Sequence, residues 1–471
     1  MIEKEYKKFQ IIEDLEIQTA AALGKGLGRI GEIVVFVENA VPGDVVDVQI
    51  VKKKSRFFDA KVVKLKKPSE KRVNAPCAYF GVCGGCKWQN FDYQEQLKYK
   101  TLEVEDSLRK FAKVELPEIP MALGSDNIYF YRNKMDFGFS NTRWLTADEV
   151  KSEEKLDRDA LGFHVPGFFD KVIDIEKCHL QPEPSNAIRN FVRDFAKTNN
   201  LSFYNSRQHV GVMRGLMLRN NLKGDFMAII QFGEESDFIK PLADAMIQNF
   251  KEIKSLYYVV NLKKNDTIHD LNLVHHFGDE YLIESMEDLN FRINPKSFYQ
   301  TNPSQAYNLY KITRDFADLK GSENVYDLYT GTGTIAQFIA KKAKQVVGIE
   351  YVPEAIEDAK INARENKLDN TVFYAGDMKD LLTPDLFLKH GKPDVIITDP
   401  PRAGMHDDVT KRINQSGAKK IVYVSCNPAT QARDIEILSE NYDLIKVQPV
   451  DMFPHTYHIE NVALLTLKEI K

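Results

Sequence analysis

The stretch NVYDLYTGTGTIAQFIAKKA, residues 324–343, decides the fold. An apolar strand runs to Asp327, Leu328 and Tyr329. Gly331 and Gly333 then permit a tight turn with close backbone approach, and a helix follows. This order is the Rossmann-like entry to a site for a nucleotide-bearing ligand. Outward from it, strands alternate with helices: QVVGIE (345–350), TVFYAG (371–376), DVIITD (394–399), KIVYVS (420–425) and ENVALLTL (460–467). Such alternation predicts a parallel sheet with helices on both faces. The change of character begins at Phe291, so a Rossmann-like α/β domain is expected over 291–471.

The acidic strand ends narrow the ligand. Glu350 closes the second strand, where a carboxylate can accept both ribose hydroxyls, and Asp377 follows the third, within reach of an adenine. The glycines spell G-T-G rather than GxGxxG, so no pyrophosphate is being cradled. With DPPR (399–402) at the end of the fourth strand, the pattern fits S-adenosylmethionine better than a dinucleotide. An aromatic residue after Pro-Pro would suit methylation of an exocyclic amine, but Arg402 stands there instead.

The remaining chain divides in two. Residues 10–67 read as all-β: EIVVFV (32–37) and GDVVDVQIV (43–51) are β-branched, and VPGD (41–44) and GKGLGR (24–29) mark turns, as in a small barrel. Lys52 to Arg72 hold ten basic residues against Asp59 and Glu70, which suits a polyanion although charge runs are often solvated faces. Residues 68–290 mix a helix over 93–113, with Leu97, Thr101, Val104 and Leu108 on its apolar face, and strands such as IYFYRNKMDFGFS (128–140), GLMLRN (215–220) and FMAIIQF (226–232). The charged run 146–160 reads as a loop insertion. The 471 residues suffice for about two to four domains. Hydrophobic content of 43% and charged content of 28% indicate a globular chain. With no apolar span and no apolar leader in MIEKEYKKFQ, it is expected in the cytoplasm, off the membrane.

Five cysteines argue against a disulfide framework. Cys77, Cys83 and Cys86 crowd one turn, and Cys178 is a possible fourth partner. Spacing admits an iron–sulfur cluster or a structural zinc, with His179 keeping a Cys3His zinc site open. Cys426 differs, because it ends a strand of the α/β domain just before Asn427-Pro428. Uracil C5 is too poor a nucleophile to attack a methyl sulfonium. A thiolate adding at C6 makes it an enolate carbon. The C5 proton must then leave to a general base. Glu460, opening the last strand, is the candidate, and Arg402 or a backbone amide would steady the developing charge at O4.

These residues resemble the RNA (uracil-5-)-methyltransferases, in particular the iron–sulfur members that act on 23S ribosomal RNA. SCNPAT (425–430) resembles the nucleophile motif and HTYHIE (455–460) the segment carrying the base. CAYFGVCGGCKWQN (77–90) resembles the cluster motif, which implies a [4Fe–4S] cluster on Cys77, Cys83, Cys86 and Cys178. The resemblance implies a TRAM domain, an OB-like RNA-binding barrel, over 1–67. A central iron–sulfur α+β domain over 68–290 and the methyltransferase domain over 291–471 would follow it. Through FYQTN (298–302) it implies that Gln300 meets the cofactor, as would Tyr329, Glu350 and Asp399. Thr334 and Asp377 stand where asparagine is common in the family. YRNK (131–134) resembles an RNA-contacting stretch, which singles out Arg132. The implied protein is a monomer that methylates a uridine of ribosomal RNA, with transfer RNA as the other substrate. Two rivals remain: an RNA cytosine-C5 methyltransferase, which would ask for a second cysteine or an acid near N3, and a non-catalytic redox-sensing RNA-binding protein.

Overall fold

The computed structural model describes residues 6–469. The first five residues of the leader reading, and of the 1–67 division, lie outside the described residues. Among those described, no helix is long and apolar enough to cross a membrane.

Alternation of inward Val and Ile with outward Lys builds the first unit. Its six strands, from Ile11–Glu16 to Phe57–Lys67, form one sheet. Ile11–Glu16 pairs with Val45–Lys53 at one edge, and Thr19–Ala21 pairs with Lys25–Ile30 at the other. Only Ile17 and Gln18 separate those edge strands. Their amides bind Asp44 O (2.9 Å) and Leu27 O (2.8 Å), so the sheet closes into a barrel. Val35, Val37, Val46, Val48, Ile50 and Phe58 fill it.

The middle unit is a seven-stranded sheet. Its strands run, from one edge, Val274–Gly278, Ile253–Val260, Phe226–Phe232, Met213–Asn220, Lys134–Ser140, Ala160–His164, Val172–Asp174. Only Phe226–Phe232 and Ile253–Val260 are parallel, joined through helix Ile239–Asn249. That helix and Ser185–Thr198 cover one face. On the other face, Met217, Met227, Ile229 and Tyr257 share a core with Val325 and Ile335 of the α/β unit. Burial on both faces explains why GLMLRN and FMAIIQF are nearly unbroken apolar runs.

Three expectations change here. The strand expected over 128–140 begins only at Lys134. Phe130 has a left-handed backbone (φ 55°), and the amides of Phe130 and Arg132 bind the carbonyls of His179 and Leu180 at 2.8 Å, tying them to the Cys178 segment instead. The run 146–160 is not all loop, because Thr146 and Glu149 form a reciprocal capping box that starts a short helix, Ala147–Lys151. The helix Tyr93–Phe111, capped by Asp92, buries Gln96 and Lys100 beside Leu97, Val104 and Leu108, while Thr101 is half-buried. It packs with Ala432, Ile435 and Leu438 of the α/β unit.

The α/β sheet is numbered here on its own: β1 Asn324–Leu328, β2 Gln345–Glu350, β3 Thr371–Ala375, β4 Val395–Thr398, β5 Lys420–Ser425, β6 Tyr442–Val450, β7 Glu460–Leu467. Its order is β3-β2-β1-β4-β5-β7-β6, parallel except for β7. The order reverses between β1 and β4, where ligands of such sheets bind at the carboxyl ends of the strands. A division at residue 290 cuts the hairpin Leu282–Met286/Leu289–Ile293, whose Leu282, Met286 and Phe291 belong to the core shared with this sheet.

Candidate active site

Sheet register brings the two reactive groups together. Ser425 of β5 pairs with Asn461 of β7 in antiparallel register, so Cys426, just past the end of β5, and Glu460, the first residue of β7, come to the same end of the sheet. Thr398 runs beside Tyr423, so Asp399 emerges at the same end. Cys426 is half-buried and Glu460 is 5% exposed. Burial pushes the Cys426 thiol up to about 11; Glu460 and Asp399 add to this, and Arg402 opposes it. Burial first, then Asp399, holds the Glu460 carboxyl well above the usual range.

The Cys426 turn is latched in place. Asn427 caps helix Pro428–Leu438 by accepting from Ala429 N (3.2 Å), and its amide donates to Arg402 O (2.9 Å). The helix's positive end adjoins the sulfur and favours a thiolate. Asp434 accepts from Tyr423 Oη (2.6 Å) and Met405 N (2.9 Å), so the DPPR loop and the cysteine turn are held as one piece. Arg402 itself is exposed.

The glycine loop has the expected form. Tyr329 adopts φ 61° and is half-buried, and Gly331 and Gly333 take φ 56° and 76°. Glu350 accepts from Gly331 N (3.1 Å) and Val352 N (3.0 Å), which ties the end of β2 to the loop. Thr334 is buried with its hydroxyl 3.2 Å from Tyr310 Oη. Gln300 is buried, and its carbonyl accepts from Asn133 Nδ2 (3.1 Å). Asp377 caps helix Met378–Leu381 through Lys379 N (2.9 Å).

Sequence reasoning gave no role to Asp327, although it lies one residue before the end of β1. It is buried with Oδ1 unpartnered, and burial pushes it up to about 7, as burial and Asp327 do for Asp399. A ligand carrying positive charge suits this group of under-compensated carboxylates. A second omission is the buried pair Lys100–Asp451 (2.6 Å). The signal was there, since Lys100 lies three residues after Leu97 and four before Val104, on the apolar stripe.

The four remaining cysteines are half-buried free thiols that line one cavity of about 450 Å³, together with Arg132, Thr456 and His458. Burial pushes Cys83 up to about 11 and Cys86 up to about 12. Yet among the described residues no three or more His, Cys, Asp or Glu form a group arranged for a metal ion. The iron–sulfur centre expected on Cys77, Cys83, Cys86 and Cys178 is therefore not shown. Arg132 donates to Lys134 O (3.0 Å) on the wall of that cavity.

Residues 238–468 match the family described as tRNA (uracil-5-)-methyltransferase, and residues 12–63 match the TRAM domain. An RNA methyltransferase of Bacteroides thetaiotaomicron is 55% identical, over 95% of this chain and all of that one. The chain belongs to the RNA (uracil-5-)-methyltransferase family. It is thus an S-adenosylmethionine-dependent RNA methyltransferase. That membership removes the non-catalytic reading. A Porphyromonas gingivalis RNA methyltransferase is 50% identical over 96% of this chain and 99% of its own. The structure resembles the tRNA (uracil-54, C5)-methyltransferase of Pyrococcus abyssi, solved with S-adenosyl-L-homocysteine. The TM-score is 0.74 at 27% identity, covering 96% of this chain and 99% of that one.

Proposed function

We propose that this family member methylates C5 of a uridine through a covalent bond between Cys426 and C6. The observation that carries the reading is the convergence of Cys426 and Glu460 at one end of the β5/β7 pair, on the side of the sheet where the β1 and β4 strands also end. The Cys426 thiolate adds to C6, and the electrons move through C5 to O4, where Arg402 or a backbone amide would steady the charge. S-adenosylmethionine, when bound, supplies the electrophilic methyl carbon. Gln300, Tyr329, Thr334, Glu350, Asp377 and Asp399 would hold it, with Asp327 added to that set. Glu460 then takes the C5 proton, the C5–C6 double bond re-forms, the C6–S bond breaks and Cys426 leaves as thiolate. A base inside a helix would first have to be flipped from the stack.

The substrate we infer is 23S ribosomal RNA, on the sequence resemblance. Transfer RNA is the second reading, supported by the likeness to the Pyrococcus abyssi enzyme. The barrel, the basic strand Phe57–Lys67 and Arg132 would contact it. Cys77, Cys83, Cys86 and Cys178 would hold a [4Fe–4S] cluster, four soft donors lining one cavity. Its contribution there would be to fix the cysteine turn.

The test is nucleoside mass spectrometry of ribosomal and transfer RNA from a strain lacking the gene, after incubation with the protein. The expected product is 5-methyluridine, absent with Cys426→Ala. A product of 5-methylcytidine alone would establish the cytosine rival instead.

A further inference from the structure

Between β6 and β7 the chain runs from Asp451 to Ile459 without regular secondary structure, and it delivers Glu460. A mere connection would be solvated. The first five residues of this one, Asp451 to His455, are each bonded to residues far along the chain. His455 O accepts from Lys87 N (2.8 Å) and Trp88 N (3.0 Å), the two residues after Cys86. His455 N donates to Gln96 Oε1 (3.0 Å). Gln96 Nε2 donates to the carbonyls of Trp88 (2.9 Å) and Phe91 (2.8 Å), and lies 3.2 Å from His455 Nδ1. Tyr131 Oη donates to Pro454 O (3.0 Å), and Asn302 Nδ2 to Met452 O (3.1 Å). Lys100 donates to Phe453 O (3.1 Å) and to Asp451, in an ion pair whose two side chains are fully buried.

Two features argue that this bracing fixes geometry rather than adding stability. His455 holds a left-handed backbone (φ 63°), which costs a side-chain-bearing residue and persists only where its surroundings over-determine it. A buried ion pair is no more stabilising than apolar packing of the same volume, so what it can supply is a fixed position. The Cys426 turn is held separately, through Asn427 and Arg402. Glu460 is the first residue after this loop and pairs with Val450 of β6, so the loop bears on the carboxylate and not on the sulfur.

We propose that Gln96 and Tyr131, with the Lys87 and Trp88 amides, are positioning residues for the proton-abstraction step, through the loop that presents Glu460. The inference rests on the covalent reading above. In that step Glu460 takes the C5 proton, the C5–H electron pair becomes the C5–C6 double bond, and the C6–S bond breaks to release the Cys426 thiolate. A displaced carboxylate slows this step alone, so methylated RNA stays on the protein.

The experiment compares full-length wild type, Gln96→Leu, Tyr131→Phe, Glu460→Gln and Cys426→Ala. The probe is [5-³H]uridine-labelled ribosomal and transfer RNA from a strain lacking the gene, with S-adenosylmethionine. Tritium release and the covalent protein–RNA band on a denaturing gel are both followed. Gln96→Leu and Tyr131→Phe are expected to release tritium roughly tenfold more slowly, since small misplacements of a reacting group cost that much or more, and to accumulate the band. Tyr131→Phe removes one hydroxyl and keeps the packing, so it decides the matter even where Gln96→Leu folds poorly. The proposal is overturned where Tyr131→Phe matches wild type, or loses tritium release and band together. A band in Glu460→Gln but in neither brace variant overturns this inference alone. No band in Glu460→Gln overturns the covalent reading beneath it.

Discussion

Cys426 does not have the surroundings of a resting thiolate. Burial and two carboxylates raise its thiol to about 11, and Arg402 with the adjoining helix end pull the other way. The thiolate is the reactive form, and a raised thiol keeps it scarce at neutral pH, so reactivity climbs as pH rises towards about 11. Alkylation by iodoacetamide, followed at the Cys426 peptide by mass spectrometry, should show that climb in the ligand-free protein. Arg402→Met removes the opposing charge and should move the midpoint to higher pH. A midpoint that moves down, or stays, would show that Arg402 does not act on the sulfur. Glu460 follows the same sign, because it acts as a base only when ionised and its carboxyl is held up by burial and Asp399. Release of the C5 proton, followed as tritium from [5-³H]uridine-labelled RNA, should therefore fall off on the acid side.

At the scale of elements, the β1 turn depends on its glycines for stated reasons. Gly333 sits at φ 76°, and a Cβ there would lie 3.0–3.1 Å from Ala359, Gln337 and Phe373. Gly333→Ala combines about 1–2 kcal/mol of backbone strain with overpacking beneath the cofactor loop. Affinity for S-adenosylmethionine, measured by calorimetry, should drop roughly tenfold or more, since about 1.4 kcal/mol is tenfold. Unchanged affinity would mean that the loop does not touch the ligand. This turn, the acidic strand ends and six of the seven strands could be read from residues 324–467, because local periodicity and turn chemistry dictate them. The strand Tyr442–Val450 and the convergence of Cys426 with Glu460 could not, because they need β7 to insert antiparallel between β5 and β6, a long-range choice. Nor could the start of the strand at Lys134. Ile128, Tyr129, Phe130 and Tyr131 carry β-type side chains, but the amides of Phe130 and Arg132 are bonded to the Cys178 segment. The place of Lys100 on the apolar stripe was legible, but its partner was not. A lysine on an apolar stripe is usually solvated, and this one is buried only because Asp451, far along the chain, comes to meet it.

The whole molecule converges on one junction. Trp88, just past the cysteine turn, donates through Nε1 to Gly24 O of the barrel (3.1 Å), and its backbone amide binds His455 O before Glu460. The barrel, the cysteine turn and the loop that leads to Glu460 thus meet at Trp88. An RNA held by the barrel and the middle sheet would be presented to Cys426 by a framework with little slack. Everything proposed for chemistry still turns on one bond between that sulfur and a pyrimidine carbon. The most direct measurement uses Glu460→Gln incubated with RNA and S-adenosylmethionine, digested with nuclease and protease, and analysed by peptide mass spectrometry. A methylated uridine nucleotide carried on the peptide containing Cys426 is the predicted result. Continued formation of 5-methyluridine with that peptide unmodified, or with the nucleotide on another residue, would contradict the account.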